Sequence, residues 1–448
     1  MVTVDRDRCA YCGGCVSVCP VAALTLEETR LTVGEGCIDC GNCVAACPMG
    51  ALQPQGNAAA WRGAPVRRRY DLVVVGAGPG GAMAAQTAAQ AGLSVLLVEK
   101  RQEIGSPVRC AEGVGHAQLL SLVEPDPRWI AAEVSRAEIT LVEGEASRTL
   151  QAEGGRGYIL ERRIFDRALA ERAAGAGAEV RVKTAVTGFL LERGRVRGVR
   201  IRRGDLAGAP GELEVEAGIV IAADGVEAQV GRWAGLTADL PLADTMVCAQ
   251  YLLAGIDIDP TCLTYTIGHD VAPGGYAWVF PKGAGRANVG LGVQADLWQE
   301  HAARLPAAGS SAGPATVLGY LTRFIEANPA LARGHPVTLI VGNVPVALPP
   351  ERLVADGLML VGDAARQVDP LTGGGIVNAM SAGRLAAQVA AEAIAAGDTS
   401  ASFLGRYSAA WQATLGRKME RNYRLRTRFP PHSRTDERFV RVFALAAS

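Results

Sequence analysis

The sequence predicts an α/β protein built around a Rossmann-like dinucleotide-binding unit, and three observations carry that prediction. The first is a β-branched run, Tyr70-Asp71-Leu72-Val73-Val74-Val75, that leads directly into Gly76-Ala77-Gly78-Pro79-Gly80-Gly81. Gly76, Gly78 and Gly81 form GxGxxG where a strand hands over to a helix. The first glycine allows a tight turn, the second lets a pyrophosphate approach the backbone, and the third lets the helix pack closely on the sheet. The helix N-terminus adds free N–H groups and a positive dipole end. The second observation is the register beyond the motif: a small-residue helix over 82–91, a stop at Gly92, a buried strand over 94–98, and Glu99 where a ribose hydroxyl needs a carboxylate. The third is a pair of later buried strands that also end on acids, at Asp224-Gly225 and at Gly362-Asp363. A bare GxGxxG is weak, but strand, helix, strand and acid in register favour a dinucleotide site over a chance glycine-rich turn.

The 448 residues, 49% of them apolar, leave room for two or three domains with large cores. Forty-five basic residues balance 45 acidic ones, so nucleic acid is not expected as a partner. No run of 18 apolar residues occurs, and the segment 1–8 is charged where a signal peptide would be apolar. A cytoplasmic protein is expected, with peripheral contact as its option for meeting a membrane.

Eight of the 11 cysteines lie in the first 47 residues. They read Cys9-x2-Cys12-x2-Cys15-x3-Cys19-Pro20 and Cys37-x2-Cys40-x2-Cys43-x3-Cys47-Pro48, an internal duplication with a constant offset of 28. Thiolates so spaced wrap a cubane, and the fourth cysteine of each run reaches the other cluster. Cys9, Cys12, Cys15 and Cys47 are therefore assigned to one [4Fe–4S] cluster, and Cys37, Cys40, Cys43 and Cys19 to a second. A disulfide scaffold is disfavoured in the cytosol, and zinc sites rarely repeat this run. The segment resembles a bacterial-type ferredoxin over residues 1–55, held together by its clusters because so short a chain has little core.

Residues 56–69 read as a linker; the triplet Arg67-Arg68-Arg69 could meet an acidic donor, but a solvated linker is the preferred reading. The segment from Ile104 to Gly113, containing Arg109 and Cys110, reads as a loop after a strand end, where loops carry function. A helix is expected from about Leu160 to Ala174, then strands at 179–182, 186–192 and 196–202, with a turn near 208–211. Strands at 251–253, 263–267, 277–280 and 287–293 suggest a second sheet, and 301–316 a surface loop. Pro370-Leu371-Thr372-Gly373-Gly374-Gly375 leads into a helix over 376–396, and the tail from Arg406 is Arg-rich and helical.

A carboxylate at a strand end followed by a glycine-rich helix start can bind ribityl hydroxyls while free N–H groups face a flavin ring. Asp363 is the ribityl candidate, and Gly373, Gly374 and Gly375 would set amides beside the pyrimidine end. These segments resemble the GxGxxG, DG and GD motifs of the FAD-dependent family typified by p-hydroxybenzoate hydroxylase, over about 70–400. The resemblance implies FAD, bound by Gly76, Gly78, Gly81, Glu99, Arg109, Cys110, Asp224, Gly225, Gly362, Asp363 and Gly373–Gly375. It also implies a discontinuous FAD-binding domain at 70–400, a substrate domain inserted at about 236–345, and a helical region at 401–448.

Within it, Pro273-Gly274-Gly275-Tyr276-Ala277-Trp278-Val279-Phe280-Pro281 fits PxxYxWxFP, and with Cys110-Ala111-Glu112-Gly113 it is similar to the geranylgeranyl reductase family. The resemblance implies that this motif lines the cavity for an isoprenoid chain; on a strand, Tyr276, Trp278 and Phe280 share one face and make an aromatic wall suited to an apolar chain. The alternative is a core strand with three buried aromatics. Arg366 departs from the family, where a small residue or His more often follows GD. His116, His269, His301, His335 and His432 show no ligand spacing, and Cys248 and Cys262 read as buried apolar residues. Nine basic residues against three acidic ones from Arg417 to Arg441 offer contact with anionic headgroups, with a solvated helix face preferred.

The expectation is an FAD-dependent reductase that hydrogenates isolated C=C bonds of a polyprenyl lipid, fed through its own two clusters by a low-potential donor such as a reduced ferredoxin. Tyr276 and Cys110 are the candidate proton relays. A flavoprotein passing electrons between a soluble donor and membrane quinone is the alternative, and an oxygen-using hydroxylase ranks third.

Overall fold

The computed structural model describes residues 2–53, 67–152, 156–204, 212–283, 285–297 and 316–447. Residues 56–66 of the expected linker, the turn near 208–211 and residues 301–315 of the expected loop fall outside those residues; Arg67, Arg68 and Arg69 are described and exposed, and Arg69 already begins the first long strand.

The cysteine-rich segment forms two short ribbons, Thr3–Val4 with Leu52–Gln53 and Leu24–Glu27 with Arg30–Val33, around helices Gly14–Ser17 and Asn42–Ala46. Its core is Leu24, Leu31, Leu52 and a few neighbours packed among the cysteines.

The central sheet runs Glu179–Arg181, Val95–Val98, Arg69–Val75, Leu213–Ala222, Arg195–Arg203, Thr184–Glu192. Its first four strands are parallel, and Leu358–Leu360 pairs in parallel with the end of Leu213–Ala222. Parallel strands covered on both faces read as unbroken apolar runs, and Leu72–Val74 and Leu96–Leu97 are fully buried accordingly. Helices Pro79–Gln90, Arg162–Gly175 and Ile376–Ala396 cover them. The ends of Arg69–Val75, Leu213–Ala222 and Leu358–Leu360 therefore meet at one sheet edge.

The second sheet has seven strands in the order 146–152, 136–143, 262–267, 276–281, 286–294, 245–254, 335–345. The expected insertion at 236–345 supplies five of them; the other two come from 136–152, outside that span. Strand Tyr276–Pro281 lies at the centre, and its period of two splits its residues. Ala277 and Val279 pack towards helix Val317–Glu326 in one core, while Trp278 and Phe280 join another on the opposite face.

The C-terminal helices begin at Ala401, at the head of the helical region expected over 401–448, where the Ser400 hydroxyl accepts the Phe403 N–H at 3.3 Å. The last, Glu437–Ala447, buries Phe439, Val440 and Phe443 against the second sheet.

Candidate functional site

A cavity of about 1110 Å³ runs from the GxGxxG turn to the inner face of the seven-stranded sheet. Gly76 sits at φ +99°, and a Cβ there would lie 2.4 Å from the Ala223 carbonyl oxygen, so the turn admits only glycine. Gly81 packs against this turn instead of lining the cavity. Gly78 differs, because a Cβ there would meet nothing within 4 Å. Its bareness serves no neighbour in the protein and leaves room for a phosphate at the start of helix Pro79–Gln90. Glu99 lines the same end and accepts the Ala77 and Arg101 N–H groups at 3.2 and 2.9 Å.

Further along, Asp224 Oδ2 accepts the Val230 N–H at 2.9 Å, while its buried Oδ1 has no hydrogen-bond partner among the described residues. Desolvation pushes its pKa up. Gly225, Gly362 and Asp363 line this stretch too, and burial pushes Asp363 up against the opposing charge of Arg162. An orphaned carboxylate oxygen, a desolvated aspartate and an open glycine at a helix start fit a dinucleotide rich in hydroxyls and phosphate, as FAD is. Gly373, Gly374 and Gly375 follow on the cavity wall ahead of helix Ile376–Ala396. Arg366 points elsewhere: its guanidinium donates to the Ala238 carbonyl at 2.7 Å and is not part of the wall.

The far end is aromatic. Tyr276, Trp278 and Phe280 all line the cavity, so the wall and core readings meet in one strand. Trp278 Nε1–H donates to Gln250 Oε1 at 2.8 Å, and the Tyr276 hydroxyl donates to the Thr372 carbonyl beside Gly373. Burial raises the Tyr276 pKa well above the ordinary phenol value. Tyr265 stands edge-on to Tyr276, Phe280 and Phe443 at 5.4–5.7 Å between ring centroids.

Between the two ends lies the loop with Arg109 and Cys110, both on the cavity wall. Burial pushes the Cys110 thiol up, with Arg162 opposing and Glu112 adding. The loop is tied down on several sides. Gln250 Nε2 donates to the Cys110 carbonyl at 3.3 Å, and Asn288 Nδ2 donates to the Ala111 carbonyl at 3.1 Å and to Glu112 Oε2 at 2.7 Å. Lys282 Nζ lies 2.6 Å from Glu112 Oε2 and 2.9 Å from Glu161 Oε1, and Glu112 Oε1 accepts the Arg162 N–H at 2.8 Å. Burial alone would lower the Arg162 pKa, but its bidentate pair with Asp166 at 2.7 and 2.8 Å holds it up.

Sequence reasoning missed several of these. Cys248, expected as a plain core residue, lines the cavity, and burial pushes its thiol up to about 12. Arg162 was visible only as a helix opener, and Tyr265 only as part of a strand. Phe439 and Phe443, spaced i,i+4 in the basic tail, were the available signal for a helix packed on the wall. Arg426 and Arg434 are buried, not solvated: Arg426 pairs with Asp244 at 3.1 Å, and Arg434 donates to the Gly274 carbonyl.

The eight N-terminal cysteines lie outside this cavity. Cys19, Cys37, Cys40 and Cys43 line a small cavity of their own. Burial pushes Cys15 up, with Cys9 and Cys47 close enough to add to it. Backbone N–H groups of Ala23 and Ala51 donate to the sulfurs of Cys19 and Cys47 at 3.2 and 3.3 Å. None of the eight is in a disulfide. Among the described residues no three His, Cys, Asp or Glu side chains converge as one metal ion requires; thiolates of a four-iron cluster stand further apart than that.

The fold and cavity define an FAD-dependent oxidoreductase carrying an iron–sulfur module. Family models match accordingly: FAD dependent oxidoreductase over residues 71–284 and 4Fe-4S dicluster domain over 1–60. A third, geranylgeranyl reductase catalytic domain, matches 244–344, the stretch that holds the aromatic strand. The chain is 49% identical to a digeranylgeranylglycerophospholipid reductase of Methanothrix thermoacetophila, over 81% of this chain and 88% of that protein. The same-named protein of Methanosphaerula palustris is 48% identical over 81% and 87%. A geranylgeranyl bacteriochlorophyll reductase-like structure from Thermoplasma acidophilum superposes with a TM-score of 0.72 at 41% identity, covering 80% of this chain and 87% of that one. A flavin-dependent brominase, 18% identical with a TM-score of 0.63 over 85% and 93%, shares the fold alone. The chain belongs to the geranylgeranyl reductase family.

Proposed function

We propose that this protein is an FAD-dependent reductase that saturates isolated C=C bonds in the isoprenoid chains of a digeranylgeranyl glycerophospholipid, with electrons relayed through two [4Fe–4S] clusters on its N-terminal module. The observation that carries the reading is one continuous cavity with a dinucleotide cradle at one end and an aromatic wall at the other. The named activity of relatives at 48–49% identity supports it. When bound, the cofactors supply one-electron relay at the clusters and two-electron hydride chemistry at the flavin.

The chain's own residues do the rest. Gly78 and the start of helix Pro79–Gln90 seat the pyrophosphate, Glu99 the ribose, Asp363 the ribityl hydroxyls, and Gly373–Gly375 the ring. Tyr276, Trp278 and Phe280 hold the isoprenoid chain and exclude water, because a developing cation on an alkene without a carbonyl would be captured by it. Tyr276 Oη and Cys110 Sγ hold protons at neutral pH and belong to residues on the cavity wall, which makes them candidate proton donors. Cys9, Cys12, Cys15 and Cys47 would hold one cluster, and Cys37, Cys40, Cys43 and Cys19 the other. Among the described residues no helix is long and apolar enough to cross a membrane, so the lipid would be drawn from its bilayer into the cavity.

The test is product mass. Anaerobic enzyme given dithionite and digeranylgeranyl glycerophospholipid should yield a ladder of products about 2 Da apart, one step per double bond reduced. Reduction of an added quinone ring with every chain double bond intact, while the flavin cycles, would refute the alkene reductase in favour of a quinone-linked carrier.

A further inference from the structure

The N-terminal module docks on the FAD module by one lobe. Lys183 Nζ donates to the carbonyls of Asp7 and Cys9 at 2.7 and 2.8 Å and stands 5.7 Å over the Tyr11 ring. Arg202 pairs with Asp7 at 3.0 Å and also lines the nucleotide end of the large cavity. Gln102 Nε2 donates to the Ala10 carbonyl at 3.4 Å. The approach at Gly204 is so close that a Cβ would lie 2.1 Å from the Asp7 carbonyl oxygen. These contacts all fall on residues 7–11, the loop that carries Cys9.

The other lobe has a different surface. Val21 and Ile38, which line the small cavity with Cys19, Cys37, Cys40 and Cys43, are 43% and 61% exposed, and Cys40 is exposed as well. The chain from Cys12 to Gln53 carries four acids, Glu27, Glu28, Glu35 and Asp39, all exposed, against the single base Arg30. Two of those acids lie within three residues of Ile38. An apolar centre flanked by Asp39 and Glu35, in a stretch of net negative charge, fits a partner whose contact patch is apolar at its centre and basic around it, and opposite charge speeds such encounters.

We infer that electrons enter at the Cys37–Cys40 face from a one-electron carrier protein with a basic contact patch, and leave through the Cys9 lobe, which Lys183 and Arg202 latch to the FAD module. This rests on the proposal above that the eight cysteines hold two clusters. Each encounter oxidises the carrier by one electron. Two encounters supply the two electrons that one C=C reduction consumes, together with two protons from solvent. Lys183 and Arg202 are positioning residues in this scheme, because they fix where one module meets the other.

The test uses the anaerobic full-length holoprotein, pre-reduced, with an oxidised lysine-ringed c-type cytochrome as the basic one-electron probe. Glu35→Lys should lower the second-order rate of cytochrome reduction about tenfold at low ionic strength, and the difference should vanish as salt screens it. Glu133→Lys, an exposed charge on the FAD module, should leave the rate unchanged. Lys183→Met should leave cytochrome reduction intact while slowing the passage of electrons from clusters to flavin several-fold, followed by absorbance after rapid mixing with dithionite. It should also speed hydrogen exchange of the 7–11 backbone. Iron missing from the parent protein would overturn the cluster assignment. Full iron with a Glu35→Lys rate equal to the parent's, or an equal loss in Glu133→Lys, would overturn the docking face. An unaltered cluster-to-flavin rate in Lys183→Met would overturn the latch.

Discussion

Replacing Lys282 by Met tests how the Cys110 loop is held. Lys282 and Glu112 are 4% and 3% exposed in their side chains, with 2.6 Å between charges. Lys282→Met leaves Glu112 with the Asn288 amide, the Arg162 N–H and the more distant Arg162 charge but no ion-pair partner, and breaking a buried pair costs up to about 3–5 kcal/mol. The second partner, Glu161, is 37% exposed and so adds only about 0–1 kcal/mol. The total is a large share of the roughly 5–15 kcal/mol that keeps a domain folded. Glu112→Gln on top of Lys282→Met removes the stranded charge and keeps an acceptor for Asn288, so the double variant should be more stable than Lys282→Met alone. Anaerobic denaturant unfolding of the parent, both single variants and the double variant gives the coupling. Iodoacetamide labelling of Cys110 adds a local readout, because a loosened loop should expose that thiol in Lys282→Met and not in the double variant. Stability of Lys282→Met within about 0.5 kcal/mol of the parent, or strictly additive single costs, would refute the idea that this pair anchors the loop.

Three further outcomes are expected. Protein purified without oxygen should carry about eight irons and one FAD per chain; one or two irons, or zinc, would contradict the ferredoxin assignment. Trp278→Ala removes a buried ring at a cost of about 3–5 kcal/mol, and where folding and FAD content survive, product mass spectra should show weakened use of long isoprenoids and little change for short ones. Cys248 contributes to alkaline instability: its folded pKa of about 12 lies above the value of a free thiol, so the folded state keeps a proton that the unfolded state loses. That contribution is fully present below the free-thiol value and is lost as pH rises towards about 12, at up to about 1.4 kcal/mol per pH unit. Cys248→Ala should flatten the fall in unfolding free energy over that window, and an unchanged slope would place its source elsewhere.

What could be read without the structure was whatever backbone geometry forces. Gly76 had to be glycine for the turn, and helix Ile376–Ala396 starts and ends where its glycines put it. The aromatic strand could be read because a period of two needs no knowledge of neighbours. What stayed hidden depends on partners distant in sequence. Strand Arg136–Glu143 joins the second sheet through parallel pairing with Cys262–Ile267, more than a hundred residues away; the alternation of Ala137, Ile139 and Leu141 marks a strand but not its partner. Arg162 looked like any helix-surface arginine until Asp166, Cys110 and Asp363 surrounded it. Arg426 and Arg434 looked solvated because a basic stretch usually is, and Asp244 and Gly274, which bury them, lie on other elements.

The cavity's proton inventory fits the chemistry proposed for it. Burial pushes Cys110, Cys248, Tyr265 and Tyr276 all upward, so at neutral pH this part of the wall presents thiols and phenols, not thiolates and phenolates. The charges behind it are tied in pairs, Arg162 to Asp166 and Glu112 to Lys282. An alkene with no carbonyl beside it gains cationic character as it takes a proton, so a nucleophilic anion in the wall would trap it as readily as water would. Neutral acids next to an apolar chain can give a proton without offering that trap. On the proposed reading, the Tyr276 hydroxyl would be the better placed donor of the two candidates. It already points at the Thr372 carbonyl, one residue from the Gly373–Gly375 turn that would seat the ring, whereas the Cys110 thiol is a weak donor held by its loop.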